Sequence, residues 1–409
     1  MKLLVIGSGM MGSAAAYDMA RSAMVDAVTL VDIDQRSAKA AAARVNRLAG
    51  GKKVAFAEVD AADPRAVSNL MKRHQAALSC VPYFFNYGLA QAAIDAKCHF
   101  ADLGGNNAVV RQELALDKKA AKRGVRIAPD CGLSPGLASI LAGDLLRGMH
   151  NPKPKTGSSG TPSGRADALK IYVGGLPQDP RPPFYYQLVF SVDGLINEYA
   201  EPAKILRNKK IVTIEPLTEL ETFKLRGFPE LEAFHTSGGT STLPETFAGR
   251  VGECFEKTLR YPGHATIIRA LYDFGLFSKQ QRQIGKVKIA PRELMAHLML
   301  EKFTDTAPDV TIMHVEAVLG GRVDSYTLVD KFDPKTGLTS MMRTTAWPAS
   351  IVVQMLAAGK IEKFGAILQE RDVPAQQVLT ELAARGIKMM HQSSSQEAAA
   401  TRVAAGRKK

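Results

Sequence analysis

A chain of 409 residues with 46% hydrophobic content is too long for one compact core and implies two domains, while no apolar run approaches the roughly 18–20 residues of a membrane span. Its four cysteines, Cys80, Cys98, Cys131 and Cys254, lack the CxxC spacing of a zinc site or a disulfide framework, so no metal is expected. The net charge of +13 does not mark a nucleic-acid binder, because nearly half of the surplus lies in 151–170 and 392–409 and the rest forms no basic stripe interleaved with aromatics.

The chain starts on its first strand, 2–6, which leaves no room for a signal peptide ahead of it, and a cytoplasmic protein is expected. That strand runs into Gly7-Ser-Gly9-Met10-Met11-Gly12 and an Ala-rich helix over 10–23. Gly7 suits the tight turn, Gly9 the close approach of a pyrophosphate, and Gly12 the packing of helix on strand. The backbone at Met10 and Met11 then offers the N–H groups and positive dipole end of a helix to phosphates. A second strand, 27–32, ends in Asp32, where a carboxylate can accept both ribose hydroxyls of an adenosine. The same charge repels a 2′-phosphate, so NAD is expected ahead of NADP. Arg36 is read as an exposed residue of the next helix.

Further strands at 54–58, 76–81, 99–103 and 125–129 alternate with helices at 35–48, 63–73, 87–97 and 110–122. The alternation predicts an α/β fold, an N-terminal Rossmann-type, doubly wound parallel sheet over 1–132. Ligands of such sheets bind at the carboxyl ends of the strands. Those ends carry the glycine turn, Asp32, Asp60, Val81-Pro82, Asp102, Asp130 and Cys131, all expected near the dinucleotide. Cys131 is expected to contribute backbone, not a nucleophilic thiol.

A helix follows at 136–148, then a Pro/Gly/Ser/Lys-rich loop at 150–166. The pattern then changes. Strands are predicted at 168–174, 186–191, 210–214, 231–236, 253–261, 285–289, 310–319 and 324–332, with helices only at 192–199, 265–275 and 291–302. This reads as a second α+β domain, 133–343, on a largely antiparallel sheet. Helices at 345–358 and 373–386 follow within a segment 344–388, and a polar tail, 389–409, is expected to fray.

Several runs resemble the saccharopine dehydrogenase family: Tyr172-Val-Gly-Gly-Leu-Pro177, Phe190 to Tyr199, Ala233-Phe-His-Thr-Ser-Gly-Gly-Thr-Ser-Thr-Leu243, Thr258 to His264, and Asp102-Leu-Gly-Gly105. Within that family they are most similar to the bacterial L-lysine 6-dehydrogenases. The resemblance spans about residues 1–370. It implies oxidation of the ε-amino carbon of L-lysine by NAD to 2-aminoadipate 6-semialdehyde and ammonia, in a homodimer or larger homo-oligomer. It also implies that 344–388 returns to the nucleotide domain. Saccharopine-type or carboxynorspermidine-type chemistry on a secondary amine is the alternative within the family, and a non-catalytic NAD-binding scaffold is the alternative outside it.

Amine oxidation needs a base, a cation for the substrate carboxylate, and a placed water. His235, where a strand opens into a polar Gly loop, is the expected base, weighed against a structural histidine. Asp102 and Asp130, at strand ends, are candidates for the substrate ammonium, weighed against loop capping. Arg260 is the candidate for the carboxylate, because a guanidinium binds it bidentately. Tyr185 is a candidate pocket residue, Thr240 and Ser241 candidates for holding the water. His264 reads as a helix N-terminal residue.

Overall fold

The computed structural model of the protein describes residues 1–150, 165–303 and 307–395. Most of the 150–166 loop and of the 389–409 tail lie outside the described residues. The chain divides into two units, one made of Met1–Ser163, Pro334–Leu338 and Met342–Lys388, the other of Gly164–Asp333, Thr339–Met341 and Met389–Lys409.

The first unit holds β1 (Lys2–Ile6), β2 (Ala27–Asp32), β3 (Val54–Glu58), β4 (Ala76–Ser79), β5 (His99–Asp102), β6 (Arg126–Ala128) and the short strand Gly365–Ala366. All pair in parallel, in the order Gly365–Ala366, β6, β5, β4, β1, β2, β3. The order reverses direction at β1 and β4, the switch point where a doubly wound sheet opens its ligand crevice. The connecting helices are α1 (Met10–Arg21), α2 (Gln35–Ala49), α3 (Pro64–Met71), α4 (Asn86–Ala96), α5 (Asn107–Leu114), α6 (Asp117–Lys122) and α7 (Leu137–His150). Their starts follow local chemistry. Asp34, Asp63 and Asn106 each accept two backbone N–H groups at the start of α2, α3 and α5. One core packs Leu4, Ile6, Val31, Val67, Met71, Leu89, Phe100 and Ile127.

Two expectations for this unit change. The helix predicted over 110–122 is two, because Asn106 starts α5 early and the chain turns at Ala115–Leu116. The strand predicted to residue 81 stops at Ser79, just ahead of Pro82, which has no N–H to give a ladder. The helix α7 groups with the first unit.

The second unit is built on β7 (Ala166–Pro177), β8 (Ala203–Arg207), β9 (Lys210–Ile214), β10 (Glu221–Phe223), β11 (Leu231–His235), β12 (Val251–Arg260), β15 (Asp309–Leu319), β16 (Arg322–Lys331) and Met390–Ser395, with a separate hairpin of β13 (Arg282–Ile284) and β14 (Val287–Ile289). The main path runs β10, β11, β12, β7, β15, β16, Met390–Ser395. Every pair is antiparallel except β12 with β7. Its helices are α8 (Val192–Ala200), α9 (Leu243–Phe247), α10 (His264–Asp273) and α11 (Pro291–Phe303). Met390–Ser395, expected to fray, pairs with β16.

The strand expected at 186–191 does not form. Phe184, Tyr186, Leu188 and Phe190 pack with Leu195, Tyr199, Ile268 and Phe303, and Gln187 and Val189 between them are buried as well. The segment is thus covered on both sides, and the Leu188 N–H donates to the Phe303 carbonyl at 2.8 Å.

Candidate active site

Two of the three glycines of the turn are fixed by contacts that admit no side chain. Gly7 has φ +99°, and a Cβ on it would lie 2.8 Å from the Cys80 carbonyl oxygen. A Cβ on Gly12 would lie 1.8 Å from the Gly7 oxygen, so α1 starts directly against the turn. Gly9 faces open space, with nothing within 4 Å of a Cβ there. It is the residue before α1 and gives that helix no side-chain cap. The first N–H groups of a helix have no intrahelical partner, so Met10, Met11 and Gly12 present theirs beside the one glycine that leaves room for a phosphate.

At the end of β2, Asp32 Oδ2 accepts the Ser8 N–H and the Ser8 hydroxyl, each at 2.7 Å, and Oδ1 accepts the Asp34 N–H at 3.2 Å. Partial burial opposes ionisation, but these donors outweigh it and hold the carboxyl below its ordinary range. Asp32 is therefore a carboxylate beside the turn. Arg36 is exposed on α2. Asp60 is exposed and accepts the Ala62 N–H at 2.8 Å, capping its own loop. Val81 and Pro82 follow β4, and Val81 lies alongside Gly7.

Asp102, Asp130 and Cys131 meet at the ends of β5 and β6. Asp102 is fully buried. Its Oδ1 accepts the Gly104 N–H at 2.6 Å and the Asp130 N–H at 3.3 Å, and its carbonyl accepts the Cys131 N–H at 2.7 Å. Asp130 sits at φ +59°, and a Cβ on Gly104 would strike its Oδ1 at 1.9 Å. The Cys131 thiol contacts the Ala128 carbonyl at 3.2 Å and takes the Gln369 amide at 3.1 Å. Burial, then the charge of Asp102, pushes this thiol well above its ordinary range, so it is no thiolate.

In the second unit His235 is buried between two acceptors: Nδ1 lies 3.2 Å from the Glu256 carbonyl and Nε2 3.2 Å from a Glu219 carboxylate oxygen. Arg207 in turn holds Glu219 through both oxygens, at 2.7 and 2.8 Å. Burial and Lys257 lower the His235 pKa. Thr240 donates its hydroxyl to the Lys204 carbonyl at 2.8 Å, and Ser241 sits at φ +41° in the same loop. A Cβ on Gly239 would lie 2.6 Å from the carboxyl of Glu256, which burial holds well above its ordinary range and so neutral.

Arg260 is also buried. Its Nε donates to the Tyr199 hydroxyl at 3.1 Å, its Nη1 to the Leu259 carbonyl at 2.9 Å, and its Nη2 lies 3.9 Å from Glu198. The guanidinium stacks 4.6 Å above the Tyr186 ring. Tyr199 meets His264 Nε2 at 3.0 Å, and His264 Nδ1 meets the Phe184 carbonyl at 2.7 Å. The carbonyl requires the proton on Nδ1, so Nε2 accepts from Tyr199, whose oxygen accepts from Arg260. Burial pushes His264 down to about 3, Arg260 adding to it. Glu198 keeps 30% of its side-chain surface. Loss of solvation, partly offset by Arg260, pushes it up to about 7. Tyr185 stands at φ +52°, its ring edge 4.0 Å from a Cβ built on Gly263.

Each half thus has a defined chemistry: in the first unit a phosphate-sized opening, helix N–H groups and a carboxylate; in the second a buried cation beside a carboxyl poised near neutrality. Residues 3–127 match the family model described as the saccharopine dehydrogenase NADP binding domain, and residues 132–387 that of the saccharopine dehydrogenase C-terminal domain. The chain belongs to the saccharopine dehydrogenase family. Its first unit is accordingly a dinucleotide-binding domain. Saccharopine dehydrogenase (NADP+, L-glutamate-forming) of Saccharomyces cerevisiae is 22% identical over 251 residues, 60% of this chain and 53% of that protein. The α-aminoadipic semialdehyde synthase of Arabidopsis thaliana is 23% identical over 234 residues, 55% of this chain and 21% of that one. The chain spans about half the length, or less, of the curated relatives it matches. Among solved structures, apo saccharopine dehydrogenase (L-Glu forming) from Saccharomyces cerevisiae superposes with a TM-score of 0.76 at 18% identity, covering 96% of this chain and 100% of that one. In this member of the saccharopine dehydrogenase family, no helix among the described residues is long and apolar enough to cross a membrane.

Sequence reasoning missed Ser8, Glu113, Glu198 and Glu256. Glu198 lies in the recognised run Phe190–Tyr199, and Ser8 in the glycine turn, so both were in view without a role. Glu113 gave one signal: it stands three residues after Val110, on the side of α5 that is buried.

Proposed function

We propose that the protein is a cytoplasmic, homo-oligomeric dehydrogenase that oxidises the ε-amino carbon of L-lysine with NAD. The products are ammonia and 2-aminoadipate 6-semialdehyde, which closes to piperideine-6-carboxylate. The observation that carries the reading is the ionised Asp32 beside the glycine turn. It suits the two ribose hydroxyls of NAD and opposes the extra phosphate of NADP, the cofactor printed in the yeast relative's name. The lysine-related substrate is supported by relatives named for saccharopine and for α-aminoadipic semialdehyde.

The bound nicotinamide supplies the hydride acceptor; the chain must supply the proton chemistry. A primary ammonium must lose a proton before its carbon can yield hydride. Glu198, near 7, exchanges protons at neutral pH and fits that base better than His235, whose ring nitrogens both face acceptors. Arg260 is the cation for the substrate carboxylate, through the Nη2 edge that faces Glu198. Asp102, with Oδ1 on two backbone N–H groups, caps loops. The second reading, oxidation of a secondary amine such as saccharopine with NADP, is favoured by the relatives' names.

The test is a panel of L-lysine, saccharopine and carboxynorspermidine with NAD and NADP. Lysine-dependent NADH formation with equimolar ammonia supports the first reading. Saccharopine-dependent reduction without ammonia replaces it with the second. Dinucleotide binding with no amine-dependent reduction removes both.

A further inference from the structure

We propose that Glu113 is a positioning residue of the dinucleotide edge: as a neutral acid it donates a hydrogen bond to Oδ2 of Asp102, and the pair holds together the loops that follow β5 and β6. The inference rests on the dinucleotide reading of that edge and not on the choice of amine.

Asp102 and Glu113 are both completely buried. Asp102 Oδ2 and both carboxyl oxygens of Glu113 receive no donor from the rest of the described residues. Neither carboxyl has an ion pair among the described residues. The two carboxyls face one another. Two carboxylates have no proton to share, and two adjacent buried charges would repel in a medium of low polarity. One proton between them satisfies both groups at once.

The donors decide where that proton sits. Burial pushes the Asp102 carboxyl up too, but its Oδ1 takes the Gly104 N–H at 2.6 Å and the Asp130 N–H at 3.3 Å, which favours charge on Asp102 over Glu113. Glu113 has no comparable donor, so it is the acid. Burial first, then the negative charge of Asp102, pushes Glu113 up to about 11, and Asp130 acts in the same direction. The thiols of Cys80 and Cys131, raised first by burial and then by Asp102, stay protonated beside the pair.

What the pair holds is the ligand edge of the sheet. Asp102 stitches the β5 loop through Gly104 and the β6 loop through Asp130 and Cys131. Gly104 at φ +75° and Gly105 at +115° adopt such conformations freely, but Asp130, a non-glycine residue at +59°, needs outside bonds to keep its own. Without Glu113, Asp102 keeps a buried oxygen with no donor, and the loops lose their common anchor.

Glu113→Gln retains a donor, its amide N–H facing Asp102, whereas Glu113→Leu fills the space without one. Fluorescence titration with NADH is expected to give near wild-type affinity for Glu113→Gln and roughly tenfold or greater weakening for Glu113→Leu. The infrared difference spectrum between wild type and Glu113→Gln at pH 8 is expected to contain the carbonyl stretch of one protonated carboxylic acid. That measurement needs only the well-folded Gln variant. Absence of the acid band overturns the proposal, as does equal impairment, or equal health, of the two variants. A protein that shows the band and the Gln rescue but does not oxidise lysine loses the substrate reading and keeps this one.

Discussion

Ser8 brings both its backbone N–H and its hydroxyl to the same oxygen of Asp32, each at 2.7 Å. The glycine turn and the end of β2 are thereby one structure. In the proposed reading, the turn aims the helix at phosphate while fixing the carboxylate that selects the sugar. Selection by charge makes a direct prediction. Asp32→Ser removes the repulsion toward a 2′-phosphate and the acceptor for the ribose, so the ratio of kcat/KM for NAD over NADP should fall roughly tenfold or more, about 1.4 kcal/mol. An unchanged ratio in initial-rate measurements would remove Asp32 from cofactor choice.

The three glycines should separate by mutation. A Cβ on Gly12 meets the Gly7 carbonyl at 1.8 Å, and backbone cannot yield as a side chain does. Gly12→Ala should therefore cost about 1–3 kcal/mol in urea unfolding, as overpacking does. A Cβ on Gly9 meets nothing. Gly9→Ala should unfold like wild type yet bind NADH weakly, because the methyl group takes the space of a phosphate. Equal stability of the two variants, or tight binding by Gly9→Ala, would contradict this account.

The first unit was legible because its signals are local. The strand–glycine–helix run, Asp34 and Asp63 before their helices, and the alternation of elements all act within a few residues. The site in the second unit was less legible because burial there is tertiary. His235 and Arg260 were singled out by residue type, but only the fold reveals that His235 lies between the Glu256 carbonyl and Glu219, and that Arg260 bonds Tyr199. Glu113 and Glu198 look like ordinary helix carboxylates in sequence. Desolvation, which gives them their character, depends on chain segments far away in sequence. The strand expected at 186–191 failed for the same cause: its apolar residues are buried by chain segments distant in sequence, without strand pairing.

Glu198 gives the reaction its expected pH dependence. A base must be deprotonated to act, and Glu198 is pushed up to about 7, so kcat/KM for the amine should rise with pH through that value. Glu198→Gln should lower kcat/KM by roughly 10²–10⁴ and remove that limb, with NADH affinity retained. A pH profile of the variant that keeps the limb would assign the base elsewhere, His235 being the first to examine.

His264 predicts how stability depends on pH. In the unfolded chain its pKa is near 6.5, and in the folded protein it is pushed down to about 3 by burial and by Arg260. Between these values the unfolded state binds the extra proton. Stability from this group is complete above about 6.5 and is lost progressively as pH falls toward 3. His99, lowered to about 4 by burial and by Arg126, acts in the same direction. His264→Gln can still donate to the Phe184 carbonyl and accept from Tyr199, but it does not titrate. Urea midpoints at pH 7 and pH 5 should fall less between the two for His264→Gln than for wild type, even if the variant is weaker at pH 7. Equal losses would mean that His264 carries its proton in the folded state, which would break the chain of donors from Arg260 through Tyr199.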